Sequence, residues 1–226
     1  VRSQALALAS RINELDALPL FGLPFGVKDN VHVAGVPTTC GCPGYTSMPV
    51  QTAEAVRRVI AAGAIFMGKQ SLDQFATGLN GTRTLGGHCL NTYDPEIIPG
   101  GSSSGSGVAV AAGLVSFSLG SDTGGSGRVP AALNNIVGLR PTMGLVSSRG
   151  MVYNNRMFDC MPVFALTIED AFTVLEVIAG RDMNDPLSRE NADTIPLQAS
   201  FPQNFKFAIP EHLEFFGDQQ SAACFE

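Results

Sequence analysis

The sequence predicts an α/β fold in which helices are layered against a largely buried sheet. Segments with helical spacing of apolar residues alternate with short apolar runs that are typical of buried strands. Of the 226 residues, 45% are hydrophobic and 15% are charged, so the chain can bury a sizeable core. The 25 glycines follow no fixed period, which indicates many tight turns and excludes a collagen-like chain.

The first part of the chain is predicted to run helix, strand, helix. Leucine and isoleucine residues recur at helical spacing over 6–15, and a proline follows as a stop signal. The strand over 23–27 places Lys28 at its end. The helix over 52–62 has one apolar face and terminates at Gly63. The elements predicted next are strands over 64–67, 114–119 and 137–139 and helices over 106–112 and 130–135.

The last part of the chain contains one strong helix signal. Thr167 begins a capping-box pattern, which predicts a helix as far as Ala179 with a glycine cap after it. Residues 181–204 are polar and contain three prolines, so a long surface segment is expected there. A strand over 205–209 and a helix that begins at 218 complete the predicted elements.

Charge and cysteine content exclude several classes of function. The net charge is −6, so the positive charge that a nucleic-acid partner requires is missing. The longest apolar run, 107–120, is shorter than the roughly 20 residues of a membrane span, and the N-terminus lacks the order of a secretory signal. The five cysteines include no C-x-x-C pair. We therefore expect a cytoplasmic protein with reduced thiols, no metal, and neither a nucleic-acid nor a membrane partner.

Two short motifs point to chemistry that the surrounding residues do not support. Residues 63–70 have P-loop spacing as far as Lys69, but Gln70 replaces the magnesium-binding hydroxyl residue and the intervening residues suit a strand. Lys69 is therefore expected at the surface end of a strand. Residues 101–105 match the G-x-S-x-G elbow, which would make Ser103 a nucleophile served by His212. A lone histidine is more often a packing or surface residue, so we disfavour this interpretation.

The most informative feature is a pair of serine-glycine turns, over 100–106 and 120–128. Such turns expose consecutive backbone N–H groups that can converge on an anion, and glycine permits the backbone angles this needs. Flexible linkers are the alternative explanation. Linkers would not normally enclose a nearly apolar helix-strand unit such as 108–119, so we interpret the turns as parts of one site.

These turns, in this order and spacing, resemble those of the amidase signature family. The resemblance extends upstream to Gly26-Val27-Lys28-Asp29-Asn30 and downstream to residues 137–142, so it covers essentially the whole chain. Within the family, residues 73–78, Ser126-Gly127-Arg128 and Asn134-Asn135 are similar to allophanate hydrolase. The resemblance implies helices layered around a mixed sheet, no cofactor, and an amide hydrolase that converts allophanate to ammonia and carbon dioxide.

The resemblance also implies a role for each residue of a Ser-cis-Ser-Lys triad. Ser126 is the nucleophile, Ser102 the bridging serine after a cis Gly101–Ser102 peptide, and Lys28 the base. Lysine can accept a proton only when neutral, so Lys28 is expected to be buried with a lowered pKa. The oxyanion would be held by the N–H groups of Thr123, Gly124, Gly125 and Ser126. The residues implied to tie the two turns together are Ser103, Asp122 and Arg128.

The same motifs are also compatible with other functions, which stay open at this point. A different small amide, a glutamine amidotransferase subunit, or a non-catalytic amidase-like domain would each fit the motifs. A homodimer and a urea carboxylase partner or fusion are also open. Family domains are longer than this chain, which implies that residues 1–226 form the N-terminal portion of one amidase domain and that the C-terminal part of the fold is absent.

Overall fold

The computed structural model describes residues 1–190 and 203–225. By contact density the chain divides into two compact units, Val1–Thr194 and Ile195–Glu226. The first unit contains all five strands and five of the six α-helices that the structure describes. No helix in the described ranges is long and apolar enough to cross a membrane.

The elements of the first unit largely follow the predicted order. The helices are α1 (Arg2–Ala9), α2 (Glu54–Ala61), α3 (Ser104–Ala111), α4 (Arg128–Leu133) and α5 (Ile168–Ile178), with 3-10 turns at Ile12–Ala17 and Gln74–Ala76. The strands are β1 (Pro24–Lys28), β2 (Ile65–Gln70), β3 (Phe117–Leu119), β4 (Val137–Leu139) and β5 (Val163–Ala165).

The five strands form one mixed sheet in the order β2-β1-β3-β5-β4. Strand β1 pairs in parallel with both β2 and β3, whereas β5 runs antiparallel to β3 and β4. Helices α2 and α5 pack against each other, and α3 packs on the strands β1 to β3. The predicted α/β class with a mixed sheet is confirmed, and strand β5 was not predicted.

The core lies around the central strands. The Phe25 and Phe117 rings stack with centroids 5.3 Å apart, and Phe66 approaches Phe25 at 5.8 Å. Phe25, Val27, Phe117 and Leu119 are buried on one face, and Lys28 and Ser118 are buried on the other, so β1 and β3 are covered on both faces. Because β1 is a central, fully packed strand, the position of the residue at its end is fixed.

Two predicted elements differ in the structure. The helix expected over 6–15 ends at Ala9 and continues as a 3-10 turn, and neither piece buries a residue. The strand expected over 205–209 is wrong, because in the described part of the chain this segment has no strand conformation, and Phe205, Phe207 and Ile209 are exposed. The helix expected from 218 is present as α6 (Gln219–Phe225). The surface segment 181–204 lies partly outside the described residues, which stop at 190 and resume at 203.

Candidate active site

The site is built at the end of β1, where Lys28 is completely buried. Its Nζ donates to Ser102 Oγ at 2.7 Å and to Ser121 Oγ at 2.8 Å. The Ser121 hydroxyl also accepts a hydrogen bond from Asn30 Nδ2 at 3.1 Å. Within the described ranges, Lys28 forms no ion pair with a carboxylate. The amine is therefore held by neutral oxygens.

Burial lowers the pKa of Lys28 from its ordinary value of 10.5 to about 7. Desolvation is the largest influence, because the ammonium form is poorly solvated inside the protein. The carboxylates of Asp73, Asp159 and Asp122 act in the opposite direction at longer range. At neutral pH a substantial fraction of Lys28 is thus an uncharged amine that can accept a proton.

Ser102 is positioned by a tightly packed turn. The Gly101–Ser102 peptide is cis, as the family resemblance implied. A side chain on Gly101 could not fit, because its Cβ would lie 2.1 Å from Asp73 Oδ2 and 2.6 Å from the Gly81 nitrogen. The Asp73 N–H donates to the Ser102 carbonyl at 3.0 Å, and Asp73 Oδ2 accepts from the Gly81 N–H at 3.0 Å.

Ser126 lies in the second turn, two residues before α4, and is 3% exposed. Its carbonyl accepts a hydrogen bond from the Ser103 N–H at 3.4 Å, which brings the two serine-glycine turns together. The Ser103 hydroxyl donates to the Ser121 carbonyl at 3.0 Å, which is a second contact between the two turns. Among the residues that the structure describes, none forms a hydrogen bond with the Ser126 hydroxyl.

The Asp122 side chain lies inside the second turn and binds the backbone of that turn. Its Oδ1 accepts from the Gly125 N–H and its Oδ2 from the Gly127 N–H, both at 2.9 Å. Arg128 binds the same carboxylate through two nitrogens, at 2.9 and 3.0 Å. Burial opposes ionisation of Asp122, but Arg128 and the two N–H groups outweigh it and lower its pKa. Asp122 and Arg128 thus hold the turn in one conformation.

This geometry corrects one part of the predicted oxyanion site. The Gly125 N–H points at Asp122 and is already used, so it is not a free donor. Across residues 1–190 and 203–225, no acceptor is found for the N–H groups of Thr123, Gly124 and Ser126. Three of the four predicted donors therefore have no acceptor among the described residues.

Sequence reasoning missed two residues of the site. The Ser121 hydroxyl contacts Lys28, and Asp73 contacts the turn that carries Ser102. Ser121 directly precedes Asp122 and follows a buried strand, which is a position where a polar side chain indicates function. Asp73 belongs to a segment that was used only to compare family members. Asp159 was missed as well, and no local pattern marks it, because it enters the site from a distant part of the chain.

The two competing motifs contribute little to this site. Lys69 is not a surface residue as expected: it pairs with Asp29 at 2.7 Å, and its side chain is only 10% exposed. A cavity of about 220 Å³ opens beside this pair, and its lining includes neither Lys28 nor Ser126. His212 lies in the second unit, and the Ser103 hydroxyl is occupied by a backbone carbonyl.

Comparison with known proteins gives the family. The Amidase family profile matches residues 1–224. The chain belongs to the amidase family. It is 43% identical to urea amidolyase of Saccharomyces cerevisiae over 96% of this chain and 12% of that protein. It is 42% identical to a glutamyl-tRNA(Gln) amidotransferase subunit of Deinococcus deserti over 94% of this chain and 42% of that protein.

Solved structures agree with this assignment. A Kluyveromyces lactis allophanate hydrolase superimposes with a TM-score of 0.91 at 41% identity, covering 99% of this chain and 36% of that chain. The K. lactis urea amidolyase superimposes with a TM-score of 0.90 at 41% identity, covering 98% of this chain and 14% of that one. This amidase chain therefore spans well under half the length of these relatives.

Proposed function

We propose that this amidase chain hydrolyses a small amide, with Ser126 as nucleophile, Ser102 as proton bridge and Lys28 as base. The observation that supports this most directly is the environment of Lys28. A completely buried lysine donates to two serine hydroxyls, and its pKa is lowered to about 7. Burial without a carboxylate in contact disfavours the ammonium form, and a readily available neutral amine is what a general base requires.

The proposed acylation step rests on the Lys28–Ser102 contact at 2.7 Å for its first half, and the Ser126–Ser102 proton transfer is what the amidase resemblance implies. The neutral Lys28 amine accepts the Ser102 proton while Ser102 accepts the Ser126 proton, and the Ser126 oxygen attacks the substrate carbonyl carbon. The amide C–N bond then breaks, and the leaving ammonia takes the proton back from Lys28 through Ser102. An ester between Ser126 and the acyl group remains. Water attacks this ester by the reverse proton path and frees the serine.

The negative oxygen that forms during both attacks needs donors fixed in advance. The three unoccupied N–H groups of Thr123, Gly124 and Ser126 can supply them. Removal of one such donor typically costs about 3 to 4 kcal/mol of transition-state stabilisation. Asp122 and Arg128 support this function indirectly, because they fix the turn that carries the donors.

The proposed substrate is allophanate. The similarity to urea amidolyase and to a solved allophanate hydrolase supports it. The similarity to urea amidolyase supports a urea carboxylase partner or fusion. We also propose that residues 1–226 are the part of an amidase domain that holds the triad, and a cytoplasmic location stays a prediction. Glutamine is the second candidate, because glutamyl-tRNA(Gln) amidotransferase subunits are similar to nearly the same degree. A homodimer stays a prediction.

Ammonia release by the purified chain tests the proposal. Wild-type protein is expected to release ammonia from allophanate, and Ser126→Ala and Lys28→Ala are expected to reduce release to background. Glutamine serves as the parallel substrate. Activity on glutamine alone would change the substrate, and equal background release by all three proteins would contradict the catalytic assignment.

A further inference from the structure

We infer that Asp159 is a positioning residue of this site, which acts through Thr123 on the turn that carries the free N–H groups. The inference rests on the proposed function, because it assigns a role in the same reaction. It adds a residue that lies 33 positions beyond Ser126 and belongs to neither serine-glycine turn. Asp159 does not touch the triad directly, so its effect has to pass through another side chain.

The contact with Thr123 is direct. The Thr123 hydroxyl donates to Asp159 Oδ1, and Asp159 is 4% exposed. The other carboxylate oxygen, Oδ2, accepts the N–H of Asn154 at 2.8 Å and that of Asn155 at 3.2 Å. With its oxygens occupied in this way, the carboxylate cannot turn without losing several hydrogen bonds. Thr123 is therefore held by a fixed acceptor.

The backbone beside Asp159 is fixed to the same turn. Asp122 and Cys160 form an antiparallel bridge, with N–H to carbonyl distances of 2.9 and 3.0 Å in the two directions. Asn154 Nδ2 in addition donates to the Ala76 carbonyl at 2.8 Å. The segment that carries Asp159 is thus attached to its surroundings on both sides and can transmit a fixed position to Thr123.

Two carboxylates consequently hold opposite ends of the second serine-glycine turn, which carries the proposed oxyanion donors. Asp122 uses the N–H groups of Gly125 and Gly127, which are at the Ser126 end. Asp159 uses the Thr123 side chain and leaves the Thr123 N–H without an acceptor in the described part of the chain. Preorganised donors are effective because they do not have to reorient when charge develops. Without the contact to Asp159, the Thr123 side chain could rotate, and the turn that carries the N–H donors would lose this preorganisation.

The charge of Asp159 has a second, separable effect. Four groups favour the ammonium form of Lys28 against its burial, namely Asp73, Asp159, Asp122 and Cys40. Removing the Asp159 charge takes away one of them, so Lys28 should lose its proton at lower pH. The acid limb of the pH–rate profile should then move to lower pH. Removing only the Thr123 hydroxyl should leave that limb where it is.

The test compares Thr123→Val, Thr123→Ser and Asp159→Asn with the wild-type full chain. The probe is a fluorophosphonate ester, in which the Ser126 oxygen forms a bond to phosphorus, the P–F bond breaks and fluoride leaves, while Lys28 receives the serine proton. Thr123→Val is expected to label on the order of tenfold to a hundredfold more slowly. Thr123→Ser keeps the hydroxyl and should restore most of the rate.

Allophanate turnover provides the second measurement. Thr123→Val should lower kcat with little change in KM, because the turn acts on the transition state. Asp159→Asn should lower kcat and also shift the acid limb downward. Thermal unfolding of each variant establishes that the chain is folded, and the two Thr123 variants decide the matter if Asp159→Asn does not fold.

Several results would overturn the inference. Labelling of Thr123→Val at the wild-type rate would show that the hydroxyl does not position the turn. Labelling of Thr123→Ser as slow as that of Thr123→Val would show that a hydroxyl at this position does not by itself hold the turn, which would contradict the assigned role of the hydrogen bond. If wild-type protein does not label at Ser126, the nucleophile assignment fails and this inference fails with it, whereas normal wild-type labelling confines any failure to Asp159.

Discussion

Two lysines at the ends of neighbouring parallel strands have opposite surroundings. Lys28 ends β1 and donates to serine hydroxyls, whereas Lys69, one residue before the end of β2, is paired with Asp29 at 2.7 Å. Burial lowers the pKa of both, and Asp29 opposes that effect at Lys69. Lys28 is completely buried on a central strand and Lys69 is largely buried on the edge strand, and the two differ further in the chemical type of their partners.

The difference shows how a buried lysine is assigned to catalysis or to structure. A carboxylate in contact keeps an ammonium charged and holds it in place, which suits a structural ion pair. Neutral hydroxyls leave the charge uncompensated, so the proton is easily lost and easily returned. The hydroxyl of Ser102 is also the group through which that proton travels in the proposed reaction.

The largest expected effect is a difference in activity between variants of the two lysines. Lys28→Met should lower the rate of Ser126 acylation by on the order of 10⁴-fold, because the proton acceptor is gone while the shape of the side chain is kept. Lys69→Met should leave the rate within the same order of magnitude. Fluorophosphonate labelling measures both. Similar losses in the two variants would mean that position in the sheet, and not the partner, sets the function.

The next largest effect is a difference in unfolding free energy between variants of the two lysines. Lys69→Met leaves the largely buried Asp29 carboxylate without its cation, which typically costs about 3 to 5 kcal/mol of unfolding free energy. Lys28→Met removes no ion-pair partner and should not show this loss. Urea unfolding at neutral pH measures both values. The control is Lys69→Met combined with Asp29→Asn, which should regain much of the stability, and a failure to regain it would show that the charge of Asp29 is not the cause.

The fold was predictable where the local pattern agrees with the tertiary structure. The strand before Lys28 and the Gly63 helix end combine hydrophobicity with a clear stop signal, and both are present in the structure. Residues 205–209 place Phe205, Phe207 and Ile209 at alternate positions as a strand does, yet a strand also needs a partner, and sequence pattern alone does not supply one. Strand β5 was missed for the converse reason, because the three residues that follow Pro162 give too short a signal.

The site was predictable only as far as its motifs extend. Lys28, Ser102 and Ser126 lie in motifs that the family resemblance covers, whereas Asp159 joins the site through a side-chain contact between distant parts of the chain. The occupied N–H of Gly125 illustrates the same limit. A glycine-rich turn indicates that several N–H groups are exposed, but which of them face a ligand depends on where a neighbouring carboxylate lies.

The expected effect that is smallest per pH unit tests the charge of Lys28 without any substrate. Its pKa is about 7 in the folded chain and 10.5 ordinarily, so between these values the unfolded chain holds a proton that the folded chain has lost. Stability from this group therefore rises with pH across that window, by up to about 1.4 kcal/mol per pH unit, and is constant below pH 7. Lys28→Met lacks this dependence, while the contributions of the groups that both proteins share cancel in the comparison. The measurement is urea unfolding of both proteins from pH 6 to about 10. Parallel stability curves would show that Lys28 keeps its proton in the folded chain, and the contrast with Lys69 would then be lost.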